Sequence, residues 1–187
     1  MSQVRRVIIV TDGDDTAYRA LEEACDNLHC HPVRAASDDG VALIDAIQKA
    51  PKDPVVVMVD DRGDAGEGSG EQALKDLIRD AGLDILGVVA VASNTPGVNG
   101  VSITASVDQS AQVVQAAVDK AGHELSSKTL RGDTVDVLAD FEGPIIGLGD
   151  PGKMQGHDAI NAGVPATRRA IEEILRKAGN GRATSPL

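Results

Sequence analysis

A chain of 187 residues is long enough for one domain with a sizeable core, and with Tyr18 and Phe141 its only aromatics, that core must be built from Val, Ile, Leu and Ala. A formal net charge of −11 repels phosphate backbones and anionic headgroups, and without aromatic stacking platforms the chain is not a nucleic-acid binder. No apolar stretch approaches the ~20 residues that cross a bilayer, and the N-terminus runs into a core strand without a signal-peptide h-region, so a soluble protein of a reducing compartment is expected.

In chain order, Val7–Val10 reads as a buried strand, and Ala17, Leu21, Ala24, Cys25 and Leu28 then fall on one helical face. Pro32–Ala36 is a short strand, and a helix with Val41, Ile44 and Ile47 inside closes at Pro51. Val55–Val59 is continuous, short and β-branched, as suits a strand covered on both faces. Beyond it lie Asp60, Asp61 and the glycines Gly63, Gly66, Gly68 and Gly70; Ser69 and Gln72 then read as a capping box for a helix through Leu74, Leu77 and Ile78. Asp84–Ser93 is a fourth strand, ending at Asn94.

Alternation at Val101, Ile103, Ala105 and Val107, then Val113 onward, predicts a β-hairpin near 101–118. Residues 119–133 are polar and irregular, Asp133–Phe141 reads as a short helix, and Pro144–Leu148 is a buried strand leading into Gly149-Asp150-Pro151-Gly152-Lys153. Val164–Ala178 is the last helix, with Gly179 as its stop signal and 180–187 as a flexible tail. The fold class expected is α/β: a doubly wound, mainly parallel sheet flanked by helices, forming one domain over 1–179. In such a sheet the strand ends share one edge, where ligands bind. Asp12, Asp14, Asp60, Asp61, Gly66, Gly68, Gly70, Ser93, Asn94, Asp150 and Lys153 are therefore the candidate ligand-binding residues. Asp12, Asp60 and Asp150 are the candidate ligands of a divalent cation, calcium or magnesium. The bland alternative is a loop of solvated acids that complements a helix dipole.

The glycine loop does not match the phosphate-loop pattern, because no Lys-Ser/Thr follows its last glycine, and it lacks a G-x-G-x-x-G fingerprint. Asp12-Gly13-Asp14-Asp15-Thr16 resembles the D-x-D-x-T signature of haloacid-dehalogenase-type phosphatases, which implies Asp12 as nucleophile and Asp14 as general acid. Gly149-Asp150 with Asp158 resembles that superfamily's acidic motif, and Lys128 or Lys153 would supply its lysine. Helical periodicity begins at once after Thr16, however, which leaves no room for the flap that normally follows the nucleophile. An alternative is that Asp14 or Asp15 is simply an N-cap. Cys25 and His29, at i,i+4 spacing, are a weak candidate for zinc.

Residues 164–187 set five cations against two glutamates, a balance of +3 that leaves −14 for the rest. Arg168, Arg169 and Arg176 on this helix form a candidate partner surface; the bland alternative is i,i+4 ion-pair ladders with Glu172 and Glu173.

VIIVTDGDD, DPVVVMVDDRGDAGEGSGEQAL, DILGVVAVASNT and PIIGLGDPGKMQGHD stand in this order. Together they resemble the stage V sporulation protein AE family, the soluble AE proteins of spore-forming Firmicutes. The resemblance covers most of residues 6–178 and is poorest around Ser106–Val118. It implies a non-enzymatic accessory of the machinery that moves dipicolinic acid, with calcium, across the spore inner membrane during germination. The expected partners are other proteins of that group, with calcium or dipicolinate as ligand and self-association into a homo-oligomer left open. The family supplies no catalytic residues to carry over, so the metal-dependent phosphatase stays the alternative.

Overall fold

The computed structural model describes residues 3–11, 13–35, 40–59, 69–94, 100–132 and 135–183. β1 (Arg5–Val10), α1 (Asp15–Leu28), β2 (His31–Arg34), α2 (Gly40–Lys49), β3 (Val55–Met58), α3 (Ser69–Arg79) and β4 (Leu83–Val91) alternate as the sequence predicts. Four short strands follow: β5 (Val101–Ser102), β6 (Ala105–Val107), β7 (Val113–Val114) and β8 (Thr129–Leu130). A 3₁₀ helix, Val135–Asp140, then leads to β9 (Ile145–Leu148) and α4 (Pro165–Ala183).

The main sheet has seven strands in the order β2-β3-β1-β4-β9-β6-β7. Its pairings are parallel except for β6 with β7. Helices cover both faces. Val7, Ile9, Val55 and Val57 face a cluster containing Leu43 and Ile47 of α2 and Leu74 and Leu77 of α3. Ile8, Val10, Val56 and Met58 face the opposite cluster, with Ala17, Ala20 and Leu21 of α1 and Ile171 and Ile174 of α4. Strands covered on both sides have no face to leave polar, which is why Val7–Val10 and Val55–Val59 read as unbroken apolar runs. Each such side chain contributes roughly 1.5–3 kcal/mol through burial.

The 101–118 segment is a hairpin only in part. β6 and β7 form it, pairing Ser106 with Val114, and the Asp108 carboxylate closes the turn by accepting the Ser110 and Gln112 amides at 2.9 Å each. β5 instead pairs with β8 as a separate two-stranded antiparallel sheet. The chain divides at Thr104, whose amide donates to Ile145 O at 2.8 Å while its hydroxyl accepts the Ile145 amide at 3.0 Å. This docks β6 beside β9.

Two local signals misled. Gly179 does not stop α4, which runs on to Ala183; a glycine costs a helix about 1 kcal/mol, too little to end one by itself. Gln72 turns forward, donating to Asp76 Oδ1 at 2.8 Å, where the capping box has it reaching back.

Candidate functional site

β1, β4 and β9 end side by side at one edge of the sheet, and their ends are sewn together. Thr11, fully buried, accepts the Val91 amide on its hydroxyl at 3.0 Å. Ala92 N–H donates to Leu148 O at 2.8 Å, and Ser93 N–H to Arg131 O at 2.9 Å. Ser93 and Asn94 therefore leave β4 at a fixed height above the edge.

Beyond β1, Asp14 caps α1: its Oδ1 accepts the Ala17 amide at 2.9 Å, the N-cap role that satisfies an otherwise orphaned helix donor. Its Oδ2 accepts Lys153 Nζ at 2.5 Å. The same ammonium lies 3.3 Å from Asp150 Oδ2, and Lys120 Nζ approaches that oxygen at 3.9 Å. A chain of alternating charge, Asp14–Lys153–Asp150–Lys120, thus runs along the sheet edge. Burial pushes the Asp14 carboxyl up, but the hydrogen bonds from Lys153 and Ala17 outweigh it and hold it below its ordinary value. Lys153 is held above its own ordinary value, first by its hydrogen bond to Asp14, with burial opposing.

Lys120 arrives by a route that sequence reasoning missed. Asp119-Lys120-Ala121-Gly122 is a tight turn, with Gly122 N–H donating to Asp119 O at 2.9 Å and the Asp119 carboxylate accepting the Ala121 and His123 amides at 2.9 Å each. Asp at the first position and Gly at the fourth are the type I turn signature, so the signal was there to be read. The turn lies on the loop after β9, where Asp150 N–H donates to Lys120 O at 2.8 Å. Gly149 permits this approach, since a Cβ there would stand 2.8 Å from both Gly122 N and Lys120 O.

The loop after β9 is held from below by Asp158. This carboxylate, fully buried, accepts the amides of Gly152 at 2.9 Å, Ala166 at 2.8 Å and Thr167 at 3.1 Å, and the Thr167 hydroxyl at 2.5 Å. It ties the start of α4 to the Lys153 loop, a structural role with no capacity left for a metal.

Two adjoining clefts open at this edge. One, of about 290 Å³, is lined by Asn94, Asp119, Lys120, Asp150, Lys153 and Gln155 among others. The second, of about 750 Å³, shares Asn94 and Asp119 with it and adds Ser93, Ser126, Ser127 and Arg131. Of the expected ligand-binding residues, Asp14, Ser93, Asn94, Asp150 and Lys153 gather here. Gly70 sits buried in the first turn of α3, while Asp12, Asp60, Asp61, Gly66 and Gly68 lie outside the described residues. Asp150, the one described member of the expected cation trio, is held by two ammonium groups. Among the described residues no three His, Cys, Asp or Glu side chains are grouped to hold a metal ion.

On α4, Arg168 pairs with Glu172 at 3.9 Å and Arg169 with Glu172 at 3.6 Å and Glu173 at 3.7 Å. Arg176 grips Glu173 with two hydrogen bonds, of 2.5 and 3.1 Å. Glu172 and Glu173 are both ion-paired and all three arginines take part, but Arg176 turns to Glu173 at i,i+3 spacing and not to Glu172 at i,i+4. Among the described residues no helix is long and apolar enough to cross a membrane.

The family model described as stage V sporulation protein AE1 matches residues 6–178. No curated protein and no solved structure matches the chain.

Proposed function

The chain belongs to the stage V sporulation protein AE1 family, and on that premise we propose that it is a non-enzymatic accessory of the spore's dipicolinate machinery, peripheral to the inner membrane. Its ligand in this reading is the calcium chelate of dipicolinate, held in the cleft at the sheet edge. The observation that carries the proposal is the alternation of two lysines, Lys120 and Lys153, with two aspartates, Asp119 and Asp150, around one small cleft. A lining of two cations and two anions is matched in charge to a neutral ligand whose own charges are separated. A dication chelated by a dicarboxylate is such a ligand: its carboxylate oxygens suit the ammonium groups and its metal suits an aspartate. A bare calcium ion needs six to eight oxygens, which these two aspartates do not provide, whereas a chelated ion brings most of its own.

The phosphatase alternative draws less support. A general acid must carry a proton near neutral pH, yet Asp14 is held ionised by Lys153 and spent as the cap of α1. α1 begins at Asp15, so no flap separates the motif from the helix. Docking on a membrane protein is assigned to α4, where acids of a partner would compete with Glu172 for Arg168.

Spores expressing the K120M/K153M variant test the proposal. Dipicolinate release on germination should slow while the variant is retained at wild-type level. Unchanged release, or turnover of a chromogenic phosphate ester with magnesium by the wild-type protein, counts against it.

A further inference from the structure

The chain has two cysteines, Cys25 and Cys30, and the end of α1 brings them together. His29 closes the helix in the left-handed conformation, φ 57° and ψ 30°, returning its amide to Cys25 O. The Cys30 amide returns to the same carbonyl at 3.1 Å. This is a Schellman-like reversal, in which residues five apart are pulled face to face. Cys30 Sγ donates to Leu28 O at 3.6 Å. Both side chains are buried in one cluster with Ile8, Ala24 and Val56, at 0% and 1% exposure, and both are free thiols.

We propose that Cys25 and Cys30 are a peroxide-oxidisable dithiol, converted by hydrogen peroxide into an intramolecular disulfide that staples the C-terminal end of α1. One of the two sulfurs, as its thiolate, attacks one peroxide oxygen, the O–O bond breaks, and hydroxide leaves, giving the sulfenic acid. The second sulfur then attacks that sulfur, the S–O bond breaks, and water departs with the second thiol's proton. Two thiols have lost two electrons in all, and peroxide has been reduced to two waters. The oxidant must be as small as peroxide, because the pair is closed to larger disulfides. This site lies at the far end of α1 from Asp14 and does not depend on the ligand reading.

No Lys or Arg separates the cysteines, so trypsin leaves both on one peptide, residues 20–34. The full-length protein, treated folded with a small excess of hydrogen peroxide, should yield that peptide lighter by two hydrogens and restored by dithiothreitol. C25S should stop at a Cys30 sulfenic acid, trapped by dimedone added as the protein is unfolded. Should C25S not fold, the wild-type peptide decides alone. Persistence of both free thiols, oxygen addition without the cross-link, or a disulfide between two chains overturns the proposal.

Discussion

Lys153 Nζ stands 2.5 Å from Asp14 Oδ2 across 139 positions of sequence, joining the loop after β9 to the N-cap of α1. Both side chains are about half exposed, so the pair is a screened one. K153M should lower stability by about 0.5–1 kcal/mol in urea denaturation. D14A loses the N-cap as well and should cost about 1–2 kcal/mol. Equal costs for the two would mean that the cap contributes nothing.

The Asp158 carboxylate, fully buried, accepts four hydrogen bonds. D158A strands three amides and a hydroxyl in the interior, and a cost of about 3 kcal/mol or more is expected in the same assay. D158N, which keeps the acceptor oxygen, should fall between D158A and wild type. A loss under 1 kcal/mol for D158A would show that water replaces the carboxylate with ease.

Stability should fall on acidification below about pH 4. Asp14 and Asp119 are both held below their ordinary 3.8 in the fold, by hydrogen bonds that outweigh burial. A carboxyl that binds its proton less tightly when folded stabilises the fold above its unfolded value, and that contribution is lost as pH falls through the folded value. Lys153, held above 10.5, acts in the opposite sense, its contribution fully present below 10.5 and lost as pH rises through its folded value. Urea midpoints measured across pH should show both arms, and K153M should shrink both. An acid arm of full size in K153M would detach Asp14 from the lysine.

Much of this was legible in the sequence. Val7–Val10 and Val55–Val59 read as doubly covered strands, and of the two candidate caps, Asp14 and Asp15, the structure selects Asp14. The docking of Ala105–Val107 beside β9 was not legible, because strand pairing across some forty residues leaves no local trace. Lys120 was hidden for a related reason: its turn is readable, but the surface on which the turn rests is not. Of the acids that follow the strand ends, Asp14 and Asp150 share Lys153, a juxtaposition set in three dimensions, while Asp12, Asp60 and Asp61 lie outside the described residues.

The α4 arginines are unequal as probes of docking. Arg176 is gripped by Glu173, whose side chain is only 3% exposed, and whose carboxyl the Arg176 hydrogen bond draws down against burial. R176E would face that buried acid with another and should lower the urea midpoint. R168E touches only the looser pair with Glu172 at 3.9 Å and should leave stability unchanged. If α4 docks on an acidic partner, R168E should reduce co-sedimentation with spore inner membranes. Full co-sedimentation of folded R168E removes Arg168 from the docking surface.

Ligand binding in the cleft between Lys120 and Lys153 is measured by calorimetric titration. Calcium dipicolinate is titrated into the wild-type protein and into K120M/K153M, with calcium chloride and sodium dipicolinate run separately. The wild type should bind the chelate saturably and either component alone more weakly, and the double variant should lose at least tenfold in affinity, about 1.4 kcal/mol. No heat from the chelate, or equal affinity in the folded double variant, would contradict binding in the cleft.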